Sequence, residues 1–394
     1  MRWKGFFQSA TNASMETASF ALQPLRFQKS CAFEICLLSW LSYAFLLVAM
    51  AVDGSYLLKC ESHTLFLLAV GPIYAQIALS VPVFMKGLNS SGFLLKWSKR
   101  ILKITDDGKH GFSAASVESF SQWLRGARIA MELFPIIFST IHIWIELKVS
   151  ECDKETYSVG SHVFRCACIY HIWASAICRD VIWALTCKLA MLHTSSFLNA
   201  FAASEKRLAA CFKAKLRIDE QMYYVALADI EALRKDYAFV VQIIRELGNC
   251  WAARGCIIML GFLCLGIVGC IFAFLNDLQG FWIVPLAVYT GVVITILVNA
   301  SVVSASRSKI LRRCTEMAQV MQTCPLEPCQ SGISPLKSQL HDLCFWIVAD
   351  CSDVPCVQFL GVLDVKHSLV VKFGSATASI AGVLLRVGGQ LGRR

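Results

Sequence analysis

The chain has 394 residues, of which 56% are hydrophobic and only 16% are charged, whereas a soluble protein carries about 25% charged residues. The mean hydropathy is +0.58. A water-soluble chain of this size could not bury so much apolar surface, which argues against a soluble enzyme, a disordered protein and a secreted disulfide scaffold. The net charge of +10 is therefore interpreted through membrane topology rather than through nucleic-acid binding.

Seven segments are long and apolar enough to cross a bilayer, which takes about 20 residues. The four strongly apolar segments are 31–52, 64–85, 256–275 and 281–303. Three weaker segments include charged residues, and these are 129–147, 166–188 and 368–387. The sequence therefore predicts an all-α, polytopic membrane protein with seven transmembrane helices.

The distribution of Lys and Arg predicts how these helices are oriented. If the N-terminus is cytoplasmic, the inside segments hold 25 Lys and Arg residues and the outside segments hold 5. Positively charged loops stay on the cytoplasmic side, so we expect a cytoplasmic N-terminus and an external C-terminus. The inside segments are then 1–30, 86–127, 192–255 and 304–360.

Three units follow from this topology. Residues 1–30 form a cytoplasmic N-terminus, and residues 31–303 form a six-helix transmembrane bundle with a cytoplasmic helical loop at 192–255. Residues 304–394 hold a cytoplasmic helix and the last transmembrane helix. Within the loop, one apolar helix face recurs at steps of three or four residues, formed by Ile230, Leu233, Tyr237, Val241, Ile244 and Leu247.

This apolar face has two interpretations. Helices that extend past the bilayer and pack as a cytoplasmic bundle would bury it, with cytoplasmic helical extensions of the spans as the result. Alternatively, the segment is an interfacial amphipathic helix that lies on the membrane surface.

The 19 cysteines indicate neither a metal site nor a disulfide framework. Nine fall inside predicted spans, where a thiol packs as a small hydrophobic group. Five others fall near His341 in an inside loop, without the paired C-x-x-C spacing of a zinc site. Only Cys60 and Cys152 fall in outside loops, and a disulfide between these two is our hypothesis. We expect no metal and no cofactor.

Enzyme motifs do not occur in a convincing form. The sequence has no P-loop, no H-E-x-x-H zinc motif, no G-x-S-x-G elbow and no dinucleotide fingerprint within a strand–helix unit. We therefore predict that the chain is not an enzyme and has no catalytic residues.

The last predicted span carries a polar stripe, because its polar and small residues are spaced three or four apart and share one helix face. The stripe consists of Lys372, Ser375, Ser379, Gly382 and Arg386. It indicates either close packing of small residues between helices or a pore-lining helix, whose hydroxyl groups replace part of an ion's hydration shell. The pore interpretation requires an oligomer, because one helix cannot enclose a pore.

With seven spans, long inside loops and a polar last helix, the chain resembles the arthropod gustatory receptors, which are insect-type seven-helix chemoreceptors. Residues 361–365 (Gly-Val-Leu-Asp-Val) are similar to the family's Gly-x-Phe-x-hydrophobic stretch, and residues 230–249 also look like the family. Residues 379–387 occupy the position of its Thr-Tyr, five hydrophobics and Gln-Phe. The spacer is kept, with Ser379 for Thr and Arg386 for Gln.

The resemblance implies a ligand-gated, non-selective cation channel that assembles as a homo- or heterotetramer with related subunits in the plasma membrane. Its last helix would line the pore, and Ser379 and Arg386 would be pore positions. The inside extensions of the later spans would form a central anchor. Four Arg386 side chains around one axis would repel cations, so this departure from the family pattern opposes cation conduction.

The resemblance also implies a ligand site within each subunit, among the outer halves of several spans. A largely apolar site with a few polar groups suits small tastant-like molecules. The candidate residues are Phe138, His142, Trp144, Tyr170, His171, Trp173, Phe281, Trp282 and Tyr289. An interfacial aromatic belt is the alternative for Trp144, Phe281 and Trp282, and a hydrogen-bonded core histidine is the alternative for His142.

Three other functions compete with the channel. A seven-helix G-protein-coupled receptor would need an external N-terminus, against the Lys and Arg count, and the chain lacks its D-R-Y and N-P-x-x-Y signatures. A secondary transporter usually shows two related halves, and none is visible in the sequence. A non-conducting accessory subunit agrees with the Arg386 departure. A bilayer, a small ligand and related subunits are the expected partners, with no nucleic acid.

Overall fold

The computed structural model describes residues 32–57, 114–149, 159–213, 220–249, 283–323, 333–353, 358–359 and 363–391, and most of 71–79 and 264–271. Seven helices have continuous bounds in this part of the chain. They are α1 (Ala32–Leu57), α2 (Ala114–Val149), α3 (Val159–Lys213), α4 (Glu220–Asn249), α5 (Ile283–Thr323), α6 (Ile333–Asp353) and α7 (His367–Leu391).

A minimal hairpin joins the last two helices. Strand β1 (Gln358–Phe359) pairs antiparallel with β2 (Leu363–Asp364), and Phe359 lies opposite Leu363. All other regular structure in the described residues is helical. The hairpin does not change the fold class, since it has two residues in each strand.

Three of the described helices have the length and the apolarity that membrane crossing requires. The qualifying segments are Glu118–Trp144 in α2, Gly160–Arg207 in α3 and Leu286–Gln319 in α5, and α1 carries the shorter apolar segment Tyr43–Ser55. The predicted spans 64–85 and 256–275 lie only partly within the described residues. The predicted all-α, polytopic membrane fold is confirmed.

Two helices are much longer than a bilayer is thick. Helix α3 has 55 residues and α5 has 41, which correspond to about 82 Å and about 62 Å at 1.5 Å per residue. The hydrocarbon core of a bilayer is only about 30 Å thick. Each helix therefore serves two packing regions, one at the depth of the other apolar helices and one beyond it.

Beyond the depth of the other apolar helices, α3, α4, α5 and α6 pack as a four-helix bundle. Its core, which we call the bundle core, contains Phe197, Phe201, Ile230, Leu233, Tyr237, Val240, Val241, Ile310, Cys314, Met317, Leu340, Leu343, Cys344 and Ile347. The predicted apolar face of α4 is buried here as far as its side chains are described, because four of its six residues belong to this core. The bundle packing is confirmed, and the interfacial helix is the wrong alternative for this face.

Polar contacts at the edge of the bundle core hold the helices in register. The Tyr237 hydroxyl lies 3.0 Å from Oδ2 of Asp350 in α6. Arg313 of α5 pairs with Glu205 of α3 at 2.5 Å, and Arg207 of α3 pairs with Asp229 of α4 at 2.7 Å. These contacts connect all four helices. That the bundle is cytoplasmic stays a prediction.

Candidate ligand site and pore face

A buried polar cluster lies among otherwise apolar helices, at the end of α1. The carboxylate of Asp53 is fully buried, with 0% of its side chain exposed, and its Oδ1 lies 2.8 Å from Nε of Arg165 in α3. The Tyr74 hydroxyl donates a hydrogen bond to Oδ2 of Asp53. Nε2 of His142 in α2 lies 3.5 Å from the same oxygen. With Trp173, which bonds His142, these residues form the Asp53 cluster.

The Asp53 cluster connects four separate parts of the chain. Asp53 belongs to α1, Tyr74 to the helical residues within 71–79, His142 to α2, and Arg165 to α3. A carboxylate without contact to water is stable only when it is paired and hydrogen-bonded. The guanidinium, the phenol and the imidazole provide those partners. The cluster therefore fixes how these four segments meet.

An aromatic layer continues from the cluster. The indole Nε1 of Trp173 donates a hydrogen bond of 3.3 Å to Nδ1 of His142, and Phe138 stacks on Trp173 with a centroid distance of 5.2 Å. Because Nδ1 accepts this bond, a neutral imidazole carries its proton on Nε2, which faces Asp53. The layer thus has an apolar side formed by Phe138 and a polar side formed by His142.

The structure brings together some of the predicted ligand residues. Phe138 and His142 both contact Trp173, and His171 packs edge-on against Phe45 of α1 at 4.9 Å. The rings of Trp144 and Tyr170 are exposed on the single chain. Phe281 and Trp282 lie outside the described residues, as do both cysteines of the hypothetical disulfide, Cys60 and Cys152.

His142 has the surroundings of a core histidine, because it is buried and both ring nitrogens face polar atoms. Contact with a ligand at this residue stays a prediction. The same holds for the other eight candidates.

Asp53 and Arg165 were not among the site residues predicted from the sequence. A signal was present, because Asp53 directly follows the first predicted span and Arg165 directly precedes the fourth. In the predicted topology these two ends lie on the same side of the membrane. Opposite charges at the same depth, at the ends of neighbouring spans, are candidates for pairing.

Tyr289 of α5 is packed against a glycine backbone. Its side chain is 1% exposed, and a Cβ atom placed on Gly266 would lie only 2.6 Å from Cζ of its ring. Glycine at position 266 therefore permits a close approach between α5 and the helical residues 266–271. No residue with a side chain fits there unless the buried ring moves.

We expect Gly266→Ala to lower the free energy of unfolding by about 1–3 kcal/mol, the usual effect of overpacking a filled core. The melting temperature of the purified protein in detergent measures the change. Gly291→Ala is the matched control, because a Cβ at Gly291 meets no atom within 4 Å. A Gly266→Ala protein that melts at the temperature of the wild type would show that the ring has room to move.

The packed face of α7 lies against α5. Val370 is buried, and a Cβ on Gly374 would lie 3.9 Å from Cδ1 of Ile294. At about 100° per residue, the polar stripe lies on the opposite side of α7 from these two residues. All five stripe residues, Lys372, Ser375, Ser379, Gly382 and Arg386, are exposed on the single chain. The stripe thus faces away from its own subunit.

No known family model matches the chain, and no curated protein matches it by sequence. Its structure is similar to that of the insect olfactory receptor OR5 from Machilis hrabei, solved in complex with eugenol. The TM-score is 0.52 at 10% sequence identity, and the match covers 95% of this chain and 99% of the receptor. The chain shares the fold of that receptor over nearly its whole length.

Proposed function

We propose that this protein is a gustatory-type chemosensory receptor subunit. It assembles as a tetramer in the plasma membrane and opens an ion channel when a small, tastant-like molecule binds. The outward-facing polar stripe of α7 carries the proposal, because its exposed Lys372 and Arg386 side chains favour an aqueous surrounding over lipid. The fold shared with an insect olfactory receptor supports it.

The energetics of the stripe favour a shared axis over lipid contact. A Lys or Arg at the centre of a lipid-exposed helix costs about 2.5–3.5 kcal/mol. Lys372 and Arg386 are both exposed on the single chain and lie toward the two ends of α7, so a lipid-facing stripe would carry part of this cost at each position. Four copies that turn their stripes toward one axis would hydrate these groups in a pore.

The ligand site in this proposal is built on the aromatic layer. Phe138 and Trp173 offer apolar contact, and the Asp53–Arg165 pair holds His142 in place behind them. Pockets with mostly apolar walls and a few fixed polar groups suit small amphipathic molecules. Eugenol, which occupies the similar receptor, is such a molecule and is the first probe to try.

The proposed topology has a cytoplasmic N-terminus, a cytoplasmic four-helix bundle and an external Asp53 cluster. The Lys and Arg count supports it. Protease protection of an N-terminal tag on intact cells tests the orientation. A tag cleaved from outside would contradict the proposal and favour a G-protein-coupled receptor.

Current recording in a heterologous cell tests the function, with the subunit alone and with a co-receptor. The panel starts with eugenol and extends to other small amphipathic tastants. Removing the stacking ring with Phe138→Ala is expected to raise the half-maximal ligand concentration about tenfold, equivalent to about 1.4 kcal/mol of binding free energy.

Phe164→Ala is the matched control for Phe138→Ala, because Phe164 lies on α3 with an exposed ring. It should leave the half-maximal concentration unchanged. Equal responses of the two variants would contradict a ligand site at the aromatic layer. Current only after co-expression would indicate an accessory subunit that needs a conducting partner.

A further inference from the structure

The polar stripe of α7 carries charge of only one sign. Lys372 and Arg386 are 14 positions apart in the sequence, or about 21 Å along the helix axis. The hydroxyl groups of Ser375 and Ser379 lie between them on the same face. All four side chains are exposed on the single chain.

No carboxylate of α7 or of its neighbour α5 neutralises this charge. The sequence of α7, His367–Leu391, contains no Asp or Glu. Helix α5 contains a single acid, Glu316, whose Oε1 pairs with Nε of Arg312 at 2.8 Å. Moreover, α5 packs on the opposite face of α7, against Val370 and Gly374.

We propose that this subunit conducts anions rather than cations. The inference rests on the proposed function, since it requires the stripe to line a pore. Four copies around an axis place two rings of positive charge in the conduction path, one of ammonium groups and one of guanidinium groups. Rings of Lys and Arg occur in anion pores. A guanidinium does not lose its proton in proteins, so its ring stays positive at physiological pH.

The groups between the rings are also suited to anions. A serine hydroxyl can donate a hydrogen bond, and the ammonium ring beside these serines offers three donors from each subunit. A chloride ion that loses part of its hydration shell can therefore be solvated along the stripe. A cation on the same path would meet the repulsion of both rings, and no carboxylate on α7 would offset it.

Ion replacement tests the selectivity in cells that express the subunit. Currents are recorded without added ligand and with eugenol and the rest of the panel. If the pore conducts anions, replacing bath chloride with gluconate shifts the reversal potential to more positive values. Replacing bath sodium with N-methyl-D-glucamine leaves the reversal potential where it was.

The variants separate the charge of Arg386 from its size and its location. Arg386→Gln should lower the chloride-to-sodium permeability ratio at least tenfold, and the double variant Lys372→Gln/Arg386→Gln should lower it further and raise the cation current. Arg386→Lys keeps the charge and should keep the ratio near that of the wild type. Lys366→Gln is the matched control, because Lys366 is exposed but lies before α7 and off the stripe.

The outcomes distinguish this inference from the proposed function. A wild-type reversal potential that follows the sodium gradient overturns anion selectivity and leaves the channel intact. An unchanged permeability ratio in Arg386→Gln and in the double variant also overturns the inference and leaves the channel intact, because the stripe would then not set the selectivity. No current from any form at confirmed surface expression, alone or with a co-receptor, overturns both.

Discussion

Asp53→Asn is expected to lower the free energy of unfolding by about 3–5 kcal/mol, because it breaks a buried ion pair from one side. Asparagine matches aspartate in size, so the change removes the charge and little volume. The Arg165 guanidinium, whose side chain is only 11% exposed, would then lack the carboxylate at 2.8 Å. Denaturant unfolding of the purified protein in detergent, followed by tryptophan fluorescence, measures the loss.

Two further variants make this expectation specific. Glu231→Gln also removes a carboxylate charge, but from an exposed pair on α4, in which Glu231 lies 3.6 Å from Lys235. It should lower the free energy of unfolding by at most about 0.5 kcal/mol. Asp53→Asn combined with Arg165→Met removes both charges and should recover part of the loss. If Asp53→Asn and Glu231→Gln cost the same, the cluster does not stabilise the fold.

Phe197→Ala is also expected to lower the free energy of unfolding by about 3–5 kcal/mol, because removing a buried ring leaves a cavity in the core. Its ring is 2% exposed and packs between Phe201, at 6.0 Å, and Tyr237, at 5.8 Å. Alanine would leave a cavity where α3 meets α4, and continuous rigid helices can close it only partly. The same unfolding experiment measures the effect.

Phe345→Ala is the matched control on α6, because its ring is 66% exposed on the single chain. It should change the stability of the isolated subunit by less than about 0.5 kcal/mol. Phe197 and Arg165 are about 48 Å apart along α3, so the effects of Phe197→Ala and Asp53→Asn should add. If the loss of unfolding free energy in the double variant differs from the sum of the two single losses by more than about 0.5 kcal/mol, the two regions are coupled.

Much of the fold could be predicted from local patterns. Long apolar runs predict helices that cross a membrane, and the three-and-four spacing through Tyr237 predicts the buried face of α4. The continuity of α3 was also readable, because no Gly or Pro interrupts residues 161–213. Hydropathy alone ends the fourth span at 188, and the predicted helical extension continues it through the polar residues that follow. In the structure they lie on a helix whose other face fills the bundle core.

The candidate site was harder to predict, because its main contact joins residues that are 112 positions apart. Phe138 and His142 are one helical turn apart, so their shared face on α2 is a local property. That this face meets Trp173 depends on how α2 packs on α3. Charges at span ends normally face water, so no local rule predicts that Asp53 would be buried beside Arg165.

The single long helix α3 has a mechanical consequence. It carries Trp173 of the aromatic layer and Phe201 of the bundle core on one rod, about 42 Å apart. No glycine or proline hinge lies between them to absorb a movement. A tilt of about 5° at one end would therefore displace the other by about 4 Å, so the rod works as a lever arm over that length.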